Sequence, residues 1–182
     1  MKNSFHTYQH GSSLLEVLIA VLIMSFGLLA LGSLTAASVQ YGKSAQFQTI
    51  GVQLAGEFAD RMRSNFKGFI DNSYNKTSVY VSSNTVIALP SPACTPTAVC
   101  NSAQIAAVDL VEWRNDLRRR LPGGDAYVLR DPVNPLAVDI WIMWSEATAA
   151  EGLSVASNND CPAAAVAGVS PQPRCAYFRT SI

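Results

Sequence analysis

From Leu14 to Leu34 almost every position is apolar, and the single ionisable residue in the run is Glu16. At about 1.5 Å of rise per residue, a helix of that length matches a hydrocarbon core of about 30 Å. The run therefore predicts a membrane-spanning helix. Past Leu34 the pattern changes character without ending. Phe47, Ile50, Leu54, Phe58, Met62 and Phe66 recur at steps of three and four with Gly51, Ala55 and Ala59 beside them, while Glu57, Asp60, Arg61, Arg63 and Lys67 lie mostly elsewhere. That spacing predicts a continuous helix from Ser12 to about Phe66, roughly 80 Å long, whose second half is amphipathic and buries one stripe as ordinary core.

Gly68 to Cys100 carries no strong period. Asn72, Ser73, Asn75, Ser82, Ser83 and Asn84 flank one short predicted strand, Ser78 to Val81, and Pro90, Pro92 and Pro96 forbid a long helix. The segment reads as an extended connector. A helical period returns at Ser102, the candidate N-cap, with Ile105, Leu110, Trp113, Leu117 and Leu121 as its stripe and Pro122-Gly123-Gly124 as its stop. Arg114, Arg118, Arg119 and Arg120 share the rest of that helix, either as solvated charges that suit its C-terminal dipole or as a docking surface for an acidic neighbour. Short strands follow at Ala126 to Leu129, Ala137 to Trp144 and Cys175 to Arg179, the first two joined by Asp131-Pro132-Val133-Asn134-Pro135. In the second strand Val138, Ile140, Ile142 and Trp144 share one face; Trp141 and Met143 point the other way, towards a partner or under the C-terminal loop. The expected fold class is α+β: a long N-terminal helix packed on a small antiparallel sheet with one further helix.

Composition narrows the chemistry. The chain has 182 residues, room for one membrane-plus-stalk helix and one small head, and charged residues make up 14% with a formal net charge of zero. No basic excess points to nucleic acid, and no acidic excess to a solvating tail. Both histidines, His6 and His10, precede the apolar run. If the segment before it is removed, Ser-His-Asp, Cys-His and histidine-based zinc sites go with it. Carboxylate pairs and a Ser-Lys dyad have no recognisable motif, no Asp-rich loop has calcium spacing, and no cofactor or metal is expected. The four cysteines, Cys94, Cys100, Cys161 and Cys175, all follow the apolar run and suit an oxidising compartment. Of three pairings, Cys94 with Cys100 and Cys161 with Cys175 are expected, because each closes a Pro-, Ala-, Ser- and Thr-rich loop with little core. Free thiols or a metal site are the alternative, although the spacings are not those of a zinc module.

A secretory signal places its small residue after the apolar core, whereas Gly11 stands before it, so a cut there leaves the helix on the mature chain. Lys2 is the only fixed positive charge of the polar segment Met1 to Gly11, which should stay cytoplasmic. Glu16 in an isolated membrane helix costs roughly 3 kcal/mol or less, depending on depth, and the amine of a newly exposed Ser12 is the positive group best placed to pair with it. Gly27 and Gly32 either allow close helix approach or are simply tolerated.

Gly11, Ser12 and Glu16 ahead of an apolar helix resemble the class III signal of type IV pilins and type II secretion pseudopilins. The resemblance implies that prepilin peptidase cuts after Gly11 and methylates Ser12, and that Glu16 aligns subunits in a helical filament. Ser12 departs from the family, which usually has Phe there. It also implies the pilin lollipop: leader 1–11, transmembrane and filament-core helix 12–34, amphipathic stalk 35–66 and periplasmic head 67–182, with the connector as the variable loop where partner contacts lie. Further phrases resemble the minor pilins of the type IV pilus modification protein PilV branch. They are Leu54-Ala55, Ala59-Asp60-Arg61-Met62-Arg63-Ser64-Asn65, Asp109-Leu110 with Trp113, Leu117 and Leu121-Pro122-Gly123-Gly124, and Ile140 to Trp144.

The expected function is that of a minor pilin that helps to initiate or modify the filament, without catalysis. Its implied partners are other minor and major pilins, prepilin peptidase, the pilus assembly platform and the inner membrane, and no nucleic acid. It would sit single-pass in the bacterial inner membrane with its head in the periplasm, and then in the filament or at its tip. A type II secretion minor pseudopilin shares the signal and shape, and a membrane-anchored periplasmic enzyme or binding protein that never assembles is the reading from another class.

Overall fold

The computed structural model describes residues 12–91, 94, 99–146 and 161–182; the leader with Gly11, Pro92, Pro96 and most of the loop before Cys161 lie outside the described residues. A single helix, α1 (Ser12–Ser64), contributes to two compact units, one reaching to Ala45 and one running from Gln46 to Ile182.

In the first unit α1 shows apolar side chains on all sides: Leu14, Leu18, Val21, Leu22, Leu28 and Leu29 are all exposed. No face is reserved for a core. Three of its hydroxyls bond inside the helix, Ser25 donating to the Val21 carbonyl at 2.7 Å, Ser33 to Ala30 and Thr35 to Gly32, both at 2.8 Å. That local bonding lets these three side chains sit in an apolar medium without orphaned donors.

In the second unit α1 is one-sided, as its period predicts: Leu54, Phe58 and Met62 are fully buried, with Phe47 and Ile50 packed beside them. The helix stops two residues earlier than expected. Asn65 leaves helical geometry and starts α2 (Phe66–Ile70), and its amide donates to the Ser102 carbonyl at 2.8 Å and to the Tyr74 hydroxyl at 3.1 Å. Phe66 therefore drops off the stripe and stands 49% exposed. Gly68 is fixed by this corner, because a Cβ there would collide with the Asn65 amide and the Ser102 carbonyl.

Helix α3 (Ser102–Arg120) is capped by Asn101 rather than Ser102. Asn101 accepts from the Gln104 amide at 2.9 Å and Gln104 returns a bond to the Asn101 amide at 3.0 Å, a capping box that outcompetes the serine one position later. The stripe is accordingly Ala106, Leu110, Trp113, Leu117 and Leu121; Ile105, expected in it, is 37% exposed.

The strands β1 (Asp125–Arg130), β2 (Ala137–Trp144) and β3 (Arg174–Ser181) form an antiparallel sheet in that order, β1 and β3 each longer than expected and β2 with the expected ends. Together the long helix, the further helix and this sheet make the fold α+β. The predicted strand Ser78 to Val81 does not form. Only Lys76 bridges to Val128; beyond it the Tyr80 amide turns to the Ala165 carbonyl at 2.8 Å and the Val81 amide to the Asp125 carboxylate at 3.3 Å. Those competing acceptors draw the chain off the sheet before a ladder can propagate. On the inner face Val138, Ile140, Ile142 and Trp144 meet α1 and α3. On the outer face Met143 is fully buried with Tyr80, Tyr127 and Ala165, so the C-terminal loop covers it, whereas Trp141 stays half-buried between Tyr127 and Tyr177.

Candidate functional site

Ser12 is the first residue of α1, and Glu16 lies one turn further on. Glu16 is exposed and, among the described residues, has neither an ion-pair nor a hydrogen-bond partner. Its nearest helical neighbours, Leu15, Val17, Ile19 and Ala20, are exposed as well. The site is thus a lone carboxylate set in an apolar cylinder, open to whatever packs alongside. Gly27 and Gly32 have open space where a Cβ would be, so neither is required by packing inside the chain.

The cysteines form two short-range links in the second unit, Cys94 to Cys100 with Cα atoms 5.8 Å apart and Cys161 to Cys175 at 5.3 Å. The first closes the connector ahead of α3. The second ties the loop that covers Met143 to β3, whose Cys175 is the register partner of Met143. Among the described residues no three metal-ligating side chains converge.

Polar side chains from α1, from the turn after α2 and from α3 meet at one corner. Arg61 of α1 donates to Asp109 at 3.1 Å and to Glu112 at 2.8 Å, and the Tyr74 hydroxyl donates to the second Asp109 oxygen. Burial, helped by the Asp109 carboxylate, pushes the Tyr74 hydroxyl above its ordinary range. These polar groups position α1, α2 and α3 against one another. Nothing in the linear order of Arg61, Tyr74 and Asp109 announces that they touch.

The basic cluster of α3 resolves into separate tasks. Arg114 reaches Asp125 at 3.2 Å, Arg118 donates to the Thr85 carbonyl at 2.6 Å, Arg119 pairs with Asp116, and Arg120 donates to Gln53 at 2.6 Å and to Glu57 at 3.5 Å. Three of the four therefore pin other segments rather than standing solvated. A second buried charge sequence reasoning passed over is Lys76, whose Nζ donates to Asp125 at 3.2 Å and to the Ala126 carbonyl at 2.6 Å. Between the connector and α3 lies an open groove of about 460 Å³ lined by Val86, Ile87, Leu89, Glu112, Asn115 and Arg119.

The prokaryotic N-terminal methylation motif matches residues 6–32, which takes in Gly11, Ser12, Glu16 and most of the apolar run. No curated protein and no solved structure matches the chain. The chain thus carries a type IV pilin-like N-terminal motif, of the kind that associates with prepilin peptidase and with pilus or pseudopilus components, on a helix apolar enough and long enough to anchor in a membrane.

Proposed function

We propose that this chain is a minor pilin of a type IV pilus, of the PilV-like branch, whose task is to help start or modify the filament rather than to catalyse a reaction. Prepilin peptidase cuts between Gly11 and Ser12 and methylates Ser12; the head is held in the periplasm until the subunit is drawn into the filament or its tip. The observation that carries this reading is Glu16, an unpartnered carboxylate on an otherwise apolar helix surface within the matched motif. Such a charge is unfavourable in lipid and is stabilised when a positive group on a neighbouring helix meets it, so the helix gains by leaving the bilayer for a bundle. The amine of a neighbouring subunit's processed Ser12 is the group of the right sign at the right depth. The phrases at Arg61, Asn65 and Asp109 support the branch, because they converge on one corner of the head.

Mass spectrometry of the mature N-terminus, combined with Glu16→Ala, tests this. The expected result is a chain beginning at methylated Ser12, and a Glu16→Ala variant that inserts in the membrane but is lost from sheared pili. An intact leader would overturn the pilin reading altogether. Correct processing with normal incorporation of Glu16→Ala would overturn the role of Glu16, and a processed chain that is absent from pili but present with secretion components would favour the pseudopilin instead.

A further inference from the structure

We infer that Tyr41 and Lys43 of α1 bind phospholipid headgroups at the membrane face opposite Glu16, so that the stretch crossing the hydrocarbon is residues 17–37 and does not end at Leu34. Ser33 and Thr35 would close the apolar run by composition, yet each donates to a carbonyl of its own helix, Ala30 and Gly32, at 2.8 Å. Neither then needs water, and the span continues past them. Ser38 and Gln40 differ. Both are exposed and, among the described residues, have no hydrogen-bond partner, so the demand for water begins there. Tyr41, 56% exposed, and Lys43, also exposed, follow at once in the unit that ends at Ala45, and neither has a hydrogen-bond or ion-pair partner among the described residues.

Length agrees with this boundary. Residues 17–37 of a helix rise about 32 Å, against a hydrocarbon core of about 30 Å. Glu16 and Lys43 are the only charged side chains from Ser12 to Gln46. They stand about 40 Å apart along the axis, which is the thickness of a bilayer with its headgroups, about 40–45 Å. One charge therefore falls in each headgroup layer. At that level an ammonium offers three donors to phosphate oxygens, and a tyrosine sets its ring among the upper chains with its hydroxyl among the headgroups.

The occupant is lipid because of how the two side chains are placed. Tyr41 and Lys43 are two positions apart on one helix, so they leave it on nearly opposite sides. A single partner packed on one side meets one of them; a ring of phospholipids meets both. Nor does a second copy of α1 supply the counter-charge. No carboxylate lies between Glu16 and Glu57, so a copy anchored at the same depth brings its own Lys43 to this level. With Lys43 held at one face, Glu16 rests at the opposite margin of the hydrocarbon, and any outward step of α1 carries the carboxylate into lipid until a positive group meets it. The inference rests on the membrane anchor of α1 and deepens the proposed function only by giving the position from which assembly starts.

Solid-state NMR of the full chain in vesicles of phosphatidylethanolamine and phosphatidylglycerol, in phosphate-free buffer, tests it. The Lys43 Nζ should show dipolar contact with lipid phosphorus, and a water-soluble gadolinium chelate should broaden Glu16, Gln40, Tyr41 and Lys43 while sparing residues 17–37. Lys43→Arg should leave the spared stretch in place, whereas Tyr41→Ser with Lys43→Ser should let it drift by about one turn along α1. A spared stretch that ends at Leu34, a Lys43 contact with a protein carboxylate in place of phosphorus, or an unmoved boundary in the double variant would each overturn the inference. The vesicles hold neither peptidase nor filament, so these results leave the pilin reading untouched; a chain that does not insert at all would overturn the membrane anchor together with the inference.

Discussion

The indole of Trp113 lies flat on the ring of Phe58, with centroids 3.9 Å apart and planes 10° from parallel, while its N–H donates to the Leu54 carbonyl at 2.8 Å. One side chain of α3 thus holds one turn of α1 by stacking and by a hydrogen bond. Both rings are fully buried. Trp113→Ala is expected to destabilise the head by about 3–5 kcal/mol through the cavity it leaves. Trp113→Phe keeps a ring on Phe58 and should cost less, about 1–3 kcal/mol, since the Leu54 carbonyl retains its intrahelical donor. Urea unfolding of the full chain in detergent, followed by near-ultraviolet circular dichroism, gives both values; equal losses would show that stacking contributes little.

Asp125 is 1% exposed and accepts from Lys76 and Arg114, each at 3.2 Å, and from the Val81 amide. Removing the carboxylate strands a buried ammonium, so Asp125→Ala should cost about 3–5 kcal/mol. The double variant Lys76→Met, Asp125→Leu removes both charges and should be the more stable of the two, because Arg114 is half-buried and can turn to water. A midpoint order opposite to this would mean that the pair is not what holds the connector to β1.

Alkaline pH separates Tyr74 from its surroundings. Burial, then the bond to Asp109, raises its folded pKa above the unfolded value of about 10. Its contribution is complete below that unfolded value and is lost as pH rises beyond it, because only the unfolded chain then releases the proton. Lys76 works in the opposite direction: burial lowers its pKa, so stability rises with pH between its folded value and about 10.4. Tyr74→Phe should cost about 1 kcal/mol at neutral pH and should lose less stability than the parent between neutral pH and the highest pH at which both fold. Parallel pH profiles for the two proteins would contradict this.

The link between Cys161 and Cys175 spans 14 positions and anchors the loop that carries Ala165 over Met143 and Tyr80. Loop-closure entropy alone gives a loss of about 3 kcal/mol when it is removed by Cys161→Ser with Cys175→Ser. The Cys94 to Cys100 link closes only 6 positions and covers no core cluster, so its removal should cost less. Thermal unfolding of the two double variants orders them; a larger loss for the shorter link would refute the reasoning.

Much of this protein follows from local pattern. The apolar run around Glu16, the stripe at Leu54, Phe58 and Met62, and the alternation from Val138 to Trp144 are periodic in the chain and appear as expected. Periodicity reports which face is buried, and an apolar helix needs no partner to be recognised. It does not report what a polar side chain will meet. Asn101 caps α3 in place of Ser102 through the local reciprocal bond with Gln104, whereas Asn65 ending α1 and the dispersal of Arg114, Arg118 and Arg120 to other segments depend on acceptors outside their own helices. The same holds for the short strand that the connector does not make, since Ala165 and Asp125 compete for its amides. At the candidate site, Glu16 and its apolar setting were legible because none of the described residues covers them. Sequence alone determined the apolar helix and its one charge; the tertiary structure decided the polar pairings, because hydrogen bonds are directional and apolar burial is not.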